Sequence, residues 1–191
     1  VDFTVNNPAS LTGQAAICSG DDIEVKVQDC SASANKAKLT IYKVDKENNA
    51  KVLPGAHFRL ERYEPDNDGN YSWQISALTA HGPDKTFEVG ASGYIELQYV
   101  QHINDSTLYN TLYKLTEVAP PSGYMLDSTP HYFVWMEQGA TEDETIQKME
   151  AAGAVPDGVV LEKADITFIA YSTNVSIFVE NAKQYTLPET G

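Results

Sequence analysis

The amino-acid sequence predicts an all-β fold with one short helical insertion. Valine, isoleucine, threonine and 11 tyrosines are common in short segments where apolar and polar residues alternate, as they do on a half-buried strand. Clusters of glycine, proline, asparagine and aspartate separate these segments and are typical of turns. One segment, near residue 145, carries the start and stop signals of a helix. At 191 residues the chain is long enough to bury a substantial core.

The charge of the chain excludes two classes of partner. Its 27 acidic residues outnumber 13 basic ones, and the formal net charge is -14. Neither nucleic acid nor an anionic membrane surface would attract such a protein electrostatically. The sequence shows no signal peptide and no apolar run long enough to span a bilayer, and it begins at Val1. We therefore expect a processed or trimmed fragment.

Residues 1–36 form a separate region in this prediction. Two alternating segments, Val1–Val5 and Ile23–Gln28, indicate a strand pair or the remnant of a preceding domain, and a linker-like stretch follows. In an exported protein we expect Cys18 and Cys30 to form a disulfide, which would contribute about 3 kcal/mol in the chain-entropy model. A metal site is not expected, because no second pair of cysteines or histidines accompanies them.

A carboxylate on the inward face of a strand is the first sign of chemistry. In the segment that begins at Tyr113, this residue, Leu115 and Glu117 share one face, and a Pro-Pro-Ser-Gly turn follows. An ionised, unpaired carboxylate in a core would cost several kcal/mol. Glu117 should therefore be protonated, hydrogen-bonded or opposite a cation.

Two other strands offer polar partners on an apolar face. In Lys38–Asp45 the face with two apolar residues ends in Lys43, and in Val175–Asn181 the face with three ends in Asn181. Lys38 is the competing amine, but it lies on the opposite face of its strand. The pattern favours Lys43, Glu117 and Asn181 as one inward polar group.

Four motifs follow one another along the chain: Lys-Val-Asp at 43–45, Leu-Pro-Gly-Ala-His-Phe-Arg-Leu at 53–60, Tyr-x-Leu-x-Glu with Ala-Pro-Pro-Ser-Gly-Tyr at 113–124, and Val-Glu-Asn at 179–181. In this order they resemble the B-type repeat of collagen adhesins and the SpaA-type domain of Gram-positive pilins. The resemblance covers about residues 37–184, and it implies an antiparallel β-sandwich with reversed immunoglobulin-like or transthyretin-like topology. It also implies a spontaneous isopeptide bond from Lys43 to Asn181, assisted by Glu117.

The chemistry of these residue types supports such a bond. Burial favours a neutral, nucleophilic lysine and a protonated glutamate. The amine of Lys43 could then attack the side-chain carbonyl of Asn181, while Glu117 donates a hydrogen bond to that carbonyl and carries protons to the departing ammonia. The protein would act once on itself. We predict no enzyme activity on an external substrate, no cofactor and no metal.

The C-terminal residues match a second known signal. Leu187, Pro188, Glu189, Thr190 and Gly191 form Leu-Pro-x-Thr-Gly, which resembles the cell-wall sorting signal of sortase substrates. A sortase would cleave after Thr190 and transfer its carbonyl to an amine of another pilin subunit or of the peptidoglycan precursor. Residues 185–191 are therefore predicted to be a sorting tail, which is either native or an added tag.

Other segments complete the predicted fold. Thr141 opens a capping box, so a helix is expected over Thr145–Ala152, with Ile146 and Met149 as its apolar stripe. The run His131–Met136 is apolar on both faces and should be covered on both sides. We also expect Ile166–Tyr171 and Val175–Asn181 to form a hairpin.

The loop of residues 64–71 resembles half a calcium-binding loop, but counting from Asp66 places Ala77 where the twelfth-position glutamate should be. It is predicted to be a polar hairpin loop. The histidines are not expected to be catalytic, since no nucleophile and orienting acid accompany them at a recognisable spacing.

Together these features predict an extracellular, cell-wall-anchored pilin subunit or its C-terminal domain. No Tyr-Pro-Lys motif supplies a polymerising lysine. Either that lysine lies in a missing N-terminal domain, or the protein is a minor pilin, a basal anchor or a monomeric adhesin. One alternative is a ligand-binding adhesin module for a host glycan or matrix protein, with its specificity in loops 64–71, 101–111 or 137–165. The other is a hydrolase, for which no nucleophile and base were found.

Overall fold

The computed structural model describes residues 37–76, 78, 82–98, 109–157, 163–171 and 173–185. The chain divides into residues 1–32 and 33–191, and all the described residues belong to the second unit. The predicted Cys18–Cys30 disulfide and the sorting motif at 187–191 lie outside the described residues. The elements are β1 (Lys38–Asp45), β2 (Asn48–Val52), β3 (His57–Pro65), β4 (Tyr71–Ile75), β5 (Phe87–Glu88), β6 (Tyr94–Gln98), β7 (Tyr113–Ala119), β8 (His131–Trp135), α1 (Glu142–Ala151), a 3-10 helix (Lys163–Asp165), β9 (Ile166–Ile169) and β10 (Asn174–Asn181).

The first sheet contains the first and last described strands as neighbours. Its order is β10-β1-β2, and β6 also pairs with β1. Strand β1 runs parallel to β10 with Lys43 opposite Val179 and Asp45 opposite Asn181. It runs antiparallel to β2 and β6. The two ends of the described chain are thus held side by side.

The second sheet carries the Glu117 strand at its centre. Its order is β4-β3-β7-β8-β9, and β5 also pairs with β3. Strand β7 lies antiparallel to β3 and β8, whereas β8 and β9 are parallel. Strand β3 is also antiparallel to β4, with which it forms a hairpin, and to β5.

The core lies between the inward faces of the two sheets. Alternating residues of β1, β3, β7 and β8 supply most of it, since successive side chains on a strand point to opposite faces. The all-β sandwich with one helix is confirmed. Its buried apolar residues include Leu39, Ile41, Phe58, Leu60, Leu97, Tyr113, Leu115, Phe133, Trp135, Ile169 and Val179.

Helix α1 covers the outer face of β8. Thr141 is its N-cap and forms a capping box with Glu144, as predicted. A second apolar cluster of Leu112, Val134, Met149, Ala154 and Ile166 fills the space beneath the helix. The expectation that β8 is covered on both faces is confirmed. Of the two residues predicted to face the core, Met149 is buried but Ile146 is only half-buried. Thr145 is buried in its place.

The predicted C-terminal hairpin is wrong. Strand β9 pairs with β8 in the second sheet, whereas β10 pairs with β1 in the first. Alternation within two consecutive segments shows which residues face inward, but it does not show that the segments pair with each other.

The predicted polar hairpin loop is confirmed at residues 66–70. The carboxylate of Asp66 accepts hydrogen bonds from the backbone N–H groups of Asp68 and Asn70 at 2.9 Å each. It therefore closes a turn between β3 and β4. In the part of the chain described, no cluster of three or more potential metal ligands is found. Nor does any helix there have the length and apolar character needed to cross a membrane.

Candidate functional site

Lys43, Glu117 and Asn181 meet between the two sheets. Strand β1 contributes the lysine, and the adjacent β10 contributes the asparagine. Lys43 is opposite Val179, so Asn181, two residues further along β10, is its diagonal neighbour on the same face. The glutamate comes from β7 in the facing sheet, where its Cα partner is Phe58. Period-two alternation explains why each points inward. The structure thus brings together the three residues that the sequence analysis singled out.

The three side chains are withdrawn from water. Relative exposure is 0% for Lys43, 1% for Glu117 and 1% for Asn181. The amine Nζ of Lys43 lies 3.3 Å from Oε1 of Glu117 and 5.8 Å from the ring centroid of Phe58. The amide nitrogen Nδ2 of Asn181 donates a hydrogen bond of 2.7 Å to Oε2 of Glu117. The carboxylate therefore lies between the amine and the amide nitrogen.

Burial makes the amine of Lys43 a better nucleophile. It lowers the pKa of Lys43 below its ordinary value of 10.5, because a charged amine loses its solvation. The negative charge of Glu117 opposes this lowering but does not outweigh it. A larger fraction of the amine is therefore neutral than in water, and only the neutral form has a free lone pair.

Three polar atoms in this pocket lack hydrogen-bond partners within the described part of the chain. They are Nζ of Lys43, Oε1 of Glu117 and Oδ1 of Asn181. The 3.3 Å approach of the first two is within ion-pair range but does not have hydrogen-bond geometry. A buried unpaired polar group typically costs about 1–3 kcal/mol. Such a concentration of unmet polar groups is unusual in a core and is more typical of a reactive site.

The orientation of the Asn181 amide differs from the expected one. Sequence reasoning placed Glu117 on the carbonyl oxygen of Asn181, but the structure places it on the nitrogen. The reason is the backbone carbonyl of Met125, which accepts a second hydrogen bond of 2.6 Å from Nδ2. A carbonyl can only accept, so this contact fixes which end of the amide carries the nitrogen.

Two backbone groups at the site were missed by sequence reasoning. Besides the carbonyl of Met125, the N–H of Asp127 donates a hydrogen bond of 3.0 Å to Oε2 of Glu117. Both groups follow the turn that ends the third motif. Because every residue except proline carries the same backbone donor and acceptor, only their position after this turn could have signalled them.

The other candidate residues lie elsewhere. Lys38, the competing amine, forms an ion pair of 2.6 Å with Glu96 at a partly exposed position. His57 is half-buried on β3, opposite Glu88. His131 lies on the same side of β8 as Phe133, and burial lowers its pKa below the ordinary value.

A comparison with protein-family models matches residues 37–149 to SpaA, described as a prealbumin-like fold domain. The chain belongs to this family. The match contains Lys43 and Glu117, while Asn181 lies beyond its end. No curated protein matches the chain.

Solved structures similar to this SpaA-family chain are longer proteins. The backbone protein of the group B streptococcus pilus 2b shares 22% identity, with 80% of this chain and 43% of that one covered and a TM-score of 0.41. Full-length major pilin SpaD from Corynebacterium diphtheriae shares 21%, with 79% and 31% covered and a TM-score of 0.42. The minor pilin GBS52 from Streptococcus agalactiae shares 20%, with 82% and 48% covered and a TM-score of 0.40. The chain spans less than half the length of each.

Proposed function

We propose that this domain is a structural pilin module that joins Lys43 to Asn181 through an autocatalytic isopeptide bond. The observation that carries the proposal is the contact of an amine, a carboxylate and a carboxamide in one buried pocket. Membership of the SpaA family and the four ordered motifs support it. A simple buried ion pair would need no asparagine in contact with its carboxylate.

The bond forms by exchange of one amine for another. The neutral amine of Lys43 attacks the side-chain carbonyl carbon of Asn181. Glu117 takes a proton from the attacking nitrogen through Oε1 and delivers one to the departing nitrogen through Oε2. The bond from carbon to Nδ2 breaks, ammonia leaves, and a new amide remains. Folding supplies the effective concentration, and the dry pocket excludes competing hydrolysis.

The proposed cellular role follows from the C-terminal motif. Leu187 to Gly191 would be read by a sortase, which would join Thr190 to an amine of another pilin subunit or of the peptidoglycan precursor. The protein would then stand on the outer surface of a Gram-positive cell, in or at the base of a fimbrium. A covalently closed fold suits that exposed, load-bearing position, because opening it fully would require breaking a covalent bond.

The alternative of binding a host glycan or matrix protein has less support. Two of the loops predicted to carry its specificity include residues 101–108 and 158–162, which lie outside the described residues. No contact in the described part of the chain favours this role over the crosslink.

The intact mass of the protein tests the proposal. After allowance for the hydrogens of a disulfide, the wild-type protein should be lighter than its sequence by one ammonia. Lys43→Ala and Asn181→Ala should keep the full mass, because each lacks one reacting group. Lys38→Ala is the matched control, since it removes a lysine of the same strand at a partly exposed position; it should still lose ammonia. A wild-type protein of full sequence mass would overturn the proposal.

A further inference from the structure

A short backbone segment covers the pocket and holds two of its three side chains. We call Tyr124–Asp127 the cover segment. Its Met125 carbonyl accepts from Nδ2 of Asn181, and its Asp127 N–H donates to Oε2 of Glu117. These contacts set the orientation of the amide under attack and of the proton carrier.

The apolar side chains of the cover segment do not fasten it to the core. Met125 is 52% exposed and Leu126 is 50% exposed, so neither contributes the burial that usually fixes a loop. Backbone hydrogen bonds tie the segment at one side, where the N–H of Met125 donates to the carbonyl of Ala182 at 2.9 Å. The N–H of Gln184 likewise donates to the carbonyl of Gly123 at 2.9 Å, so these bonds join the segment to the residues that follow β10, and its link to β1 comes from a side chain.

The hydroxyl of Tyr124 provides that attachment. It donates a hydrogen bond of 2.8 Å to Oδ2 of Asp45, whose relative exposure is 1%. The other carboxylate oxygen accepts from the N–H of Glu47 at 2.9 Å. Lys51 in turn donates to the hydroxyl of Tyr124 at 2.8 Å. Hydrogen bonds to a charged acceptor are stronger than neutral ones, so this attachment is well suited to hold a loop.

Asp45 also connects the attachment to the reacting strands. It lies on β1 two residues after Lys43 and is the direct Cα partner of Asn181 on β10. The two hydrogen bonds that Asp45 accepts, first from the N–H of Glu47 and then from Tyr124, lower its pKa below the ordinary value and keep it charged. The hydrogen bond to Asp45 therefore fixes the cover segment relative to β1 and β10, the two strands that carry the reacting groups.

We infer that the hydrogen bond from Tyr124 to Asp45 positions the cover segment for crosslinking, which makes these two residues positioning residues for the reaction. The inference rests on the isopeptide bond proposed above. Without this bond the Met125 carbonyl and the Asp127 N–H would drift, and the amide and carboxylate would lose their alignment with the amine. Misplacement of reacting groups by about 1 Å can cost up to about 100-fold in rate.

The rate of crosslinking in newly made protein provides the test. The full chain is made by cell-free synthesis, and the fraction lighter by one ammonia is followed by intact mass after synthesis is stopped. Tyr124→Phe keeps the ring and removes the hydroxyl, and we expect it to crosslink at least about fivefold more slowly, the rate equivalent of one net hydrogen bond. Tyr94→Phe is the matched control, because Tyr94 lies on the outer face of β6 at 39% exposure. It should crosslink at the wild-type rate.

Changes at Asp45 separate positioning from general destabilisation. Asp45→Asn retains an oxygen that can accept from the tyrosine hydroxyl, so it should crosslink faster than Asp45→Ala. If the two residues act through one bond, Tyr124→Phe combined with Asp45→Ala should be no slower than the slower single variant. The folded fraction of each variant is measured separately with Lys43→Ala added, so that no crosslink can form.

The outcomes distinguish this inference from the crosslink itself. Slower ammonia loss by a variant that remains folded supports it. Wild-type rates for Tyr124→Phe and Asp45→Ala, or a slowing fully explained by the unfolded fraction, would overturn it and leave the crosslink intact. A wild-type protein that never loses ammonia would overturn both.

Discussion

Lys43 is the residue whose charge state depends most on its surroundings, because its amine is buried. An isolated charged amine in a core costs several kcal/mol, and a single carboxylate partner at 3.3 Å often does not recover that cost. Conversion to an amide would remove both the charge and the pairing requirement. The proposed crosslink therefore relieves the least favourable feature of the unreacted pocket, in addition to joining two strands.

The lowered pKa of Lys43 predicts a rise in stability with pH when the crosslink cannot form. In Asn181→Ala the native amine should bind fewer protons than the unfolded one between its folded pKa and 10.5. The free energy of unfolding should therefore increase with pH in that window, by at most about 1.4 kcal/mol per pH unit, and level off above it. Urea unfolding between pH 7 and 10 measures the effect.

A second variant controls for all other titrating groups. Lys43→Met combined with Asn181→Ala has no buried amine, so its stability should lack this rise. Equal pH dependence of the two proteins would show that the native environment does not disfavour the charged form of Lys43.

At the scale of elements, the pairing of β1 with β10 decides the geometry of the site. Both strands present alternate residues to the core, but only their parallel register places Asn181 diagonally across from Lys43. A slip of one residue would turn every side chain of one strand to the opposite face. The buried residues Ile41 on β1 and Val179 on β10 oppose such a slip, because it would expose them.

Helix α1 gives a prediction about packing. Met149→Ala should destabilise the protein by about 2–4 kcal/mol, because it leaves a cavity beneath the helix where Met149 packs with Val134. Ile146→Ala is the neighbouring control, and it should cost less because Ile146 is only half-buried. Guanidinium unfolding with Lys43→Ala added measures both. Equal costs at the two positions would contradict the burial seen here.

At the scale of the molecule, the proposed bond would define the path of mechanical load. It would connect the first described strand to the last and close a loop of about 140 residues, worth about 5 kcal/mol in the chain-entropy model. Tension entering before Lys43 and leaving after Asn181 would pass through the amide. The strands between these residues would remain unstretched.

The crosslink should therefore dominate global stability. Wild-type protein and Lys38→Ala should unfold at a higher guanidinium concentration than Lys43→Ala and Asn181→Ala, and they should survive protease for longer. Both crosslink-deficient variants should lose this stabilisation, and Lys43→Ala should lose more, because it also leaves the buried carboxylate of Glu117 without its cation. Midpoints that coincide for the wild type and Lys43→Ala would contradict the proposed stabilisation.

Much of the fold and of the site could be predicted from local patterns. Alternation with a period of two identified the inward faces that carry Lys43, Glu117 and Asn181, because the face of a strand residue depends only on its parity. The capping box located helix α1, since its hydrogen bonds join residues only three apart. These features are contained in short stretches of the chain, so the local sequence was enough to predict them.

The pairing of the strands and the backbone groups that reach the pocket depend on how the whole chain folds. Parity did not show that β10 lies beside β1 and β9 beside β8, because pairing is chosen by the packing of the whole sandwich. The Met125 carbonyl and the Asp127 N–H were not predictable as site groups, since every residue except proline offers the same two groups. The folded chain selects these two because the segment after the Pro-Pro-Ser-Gly turn passes over Asn181 and Glu117.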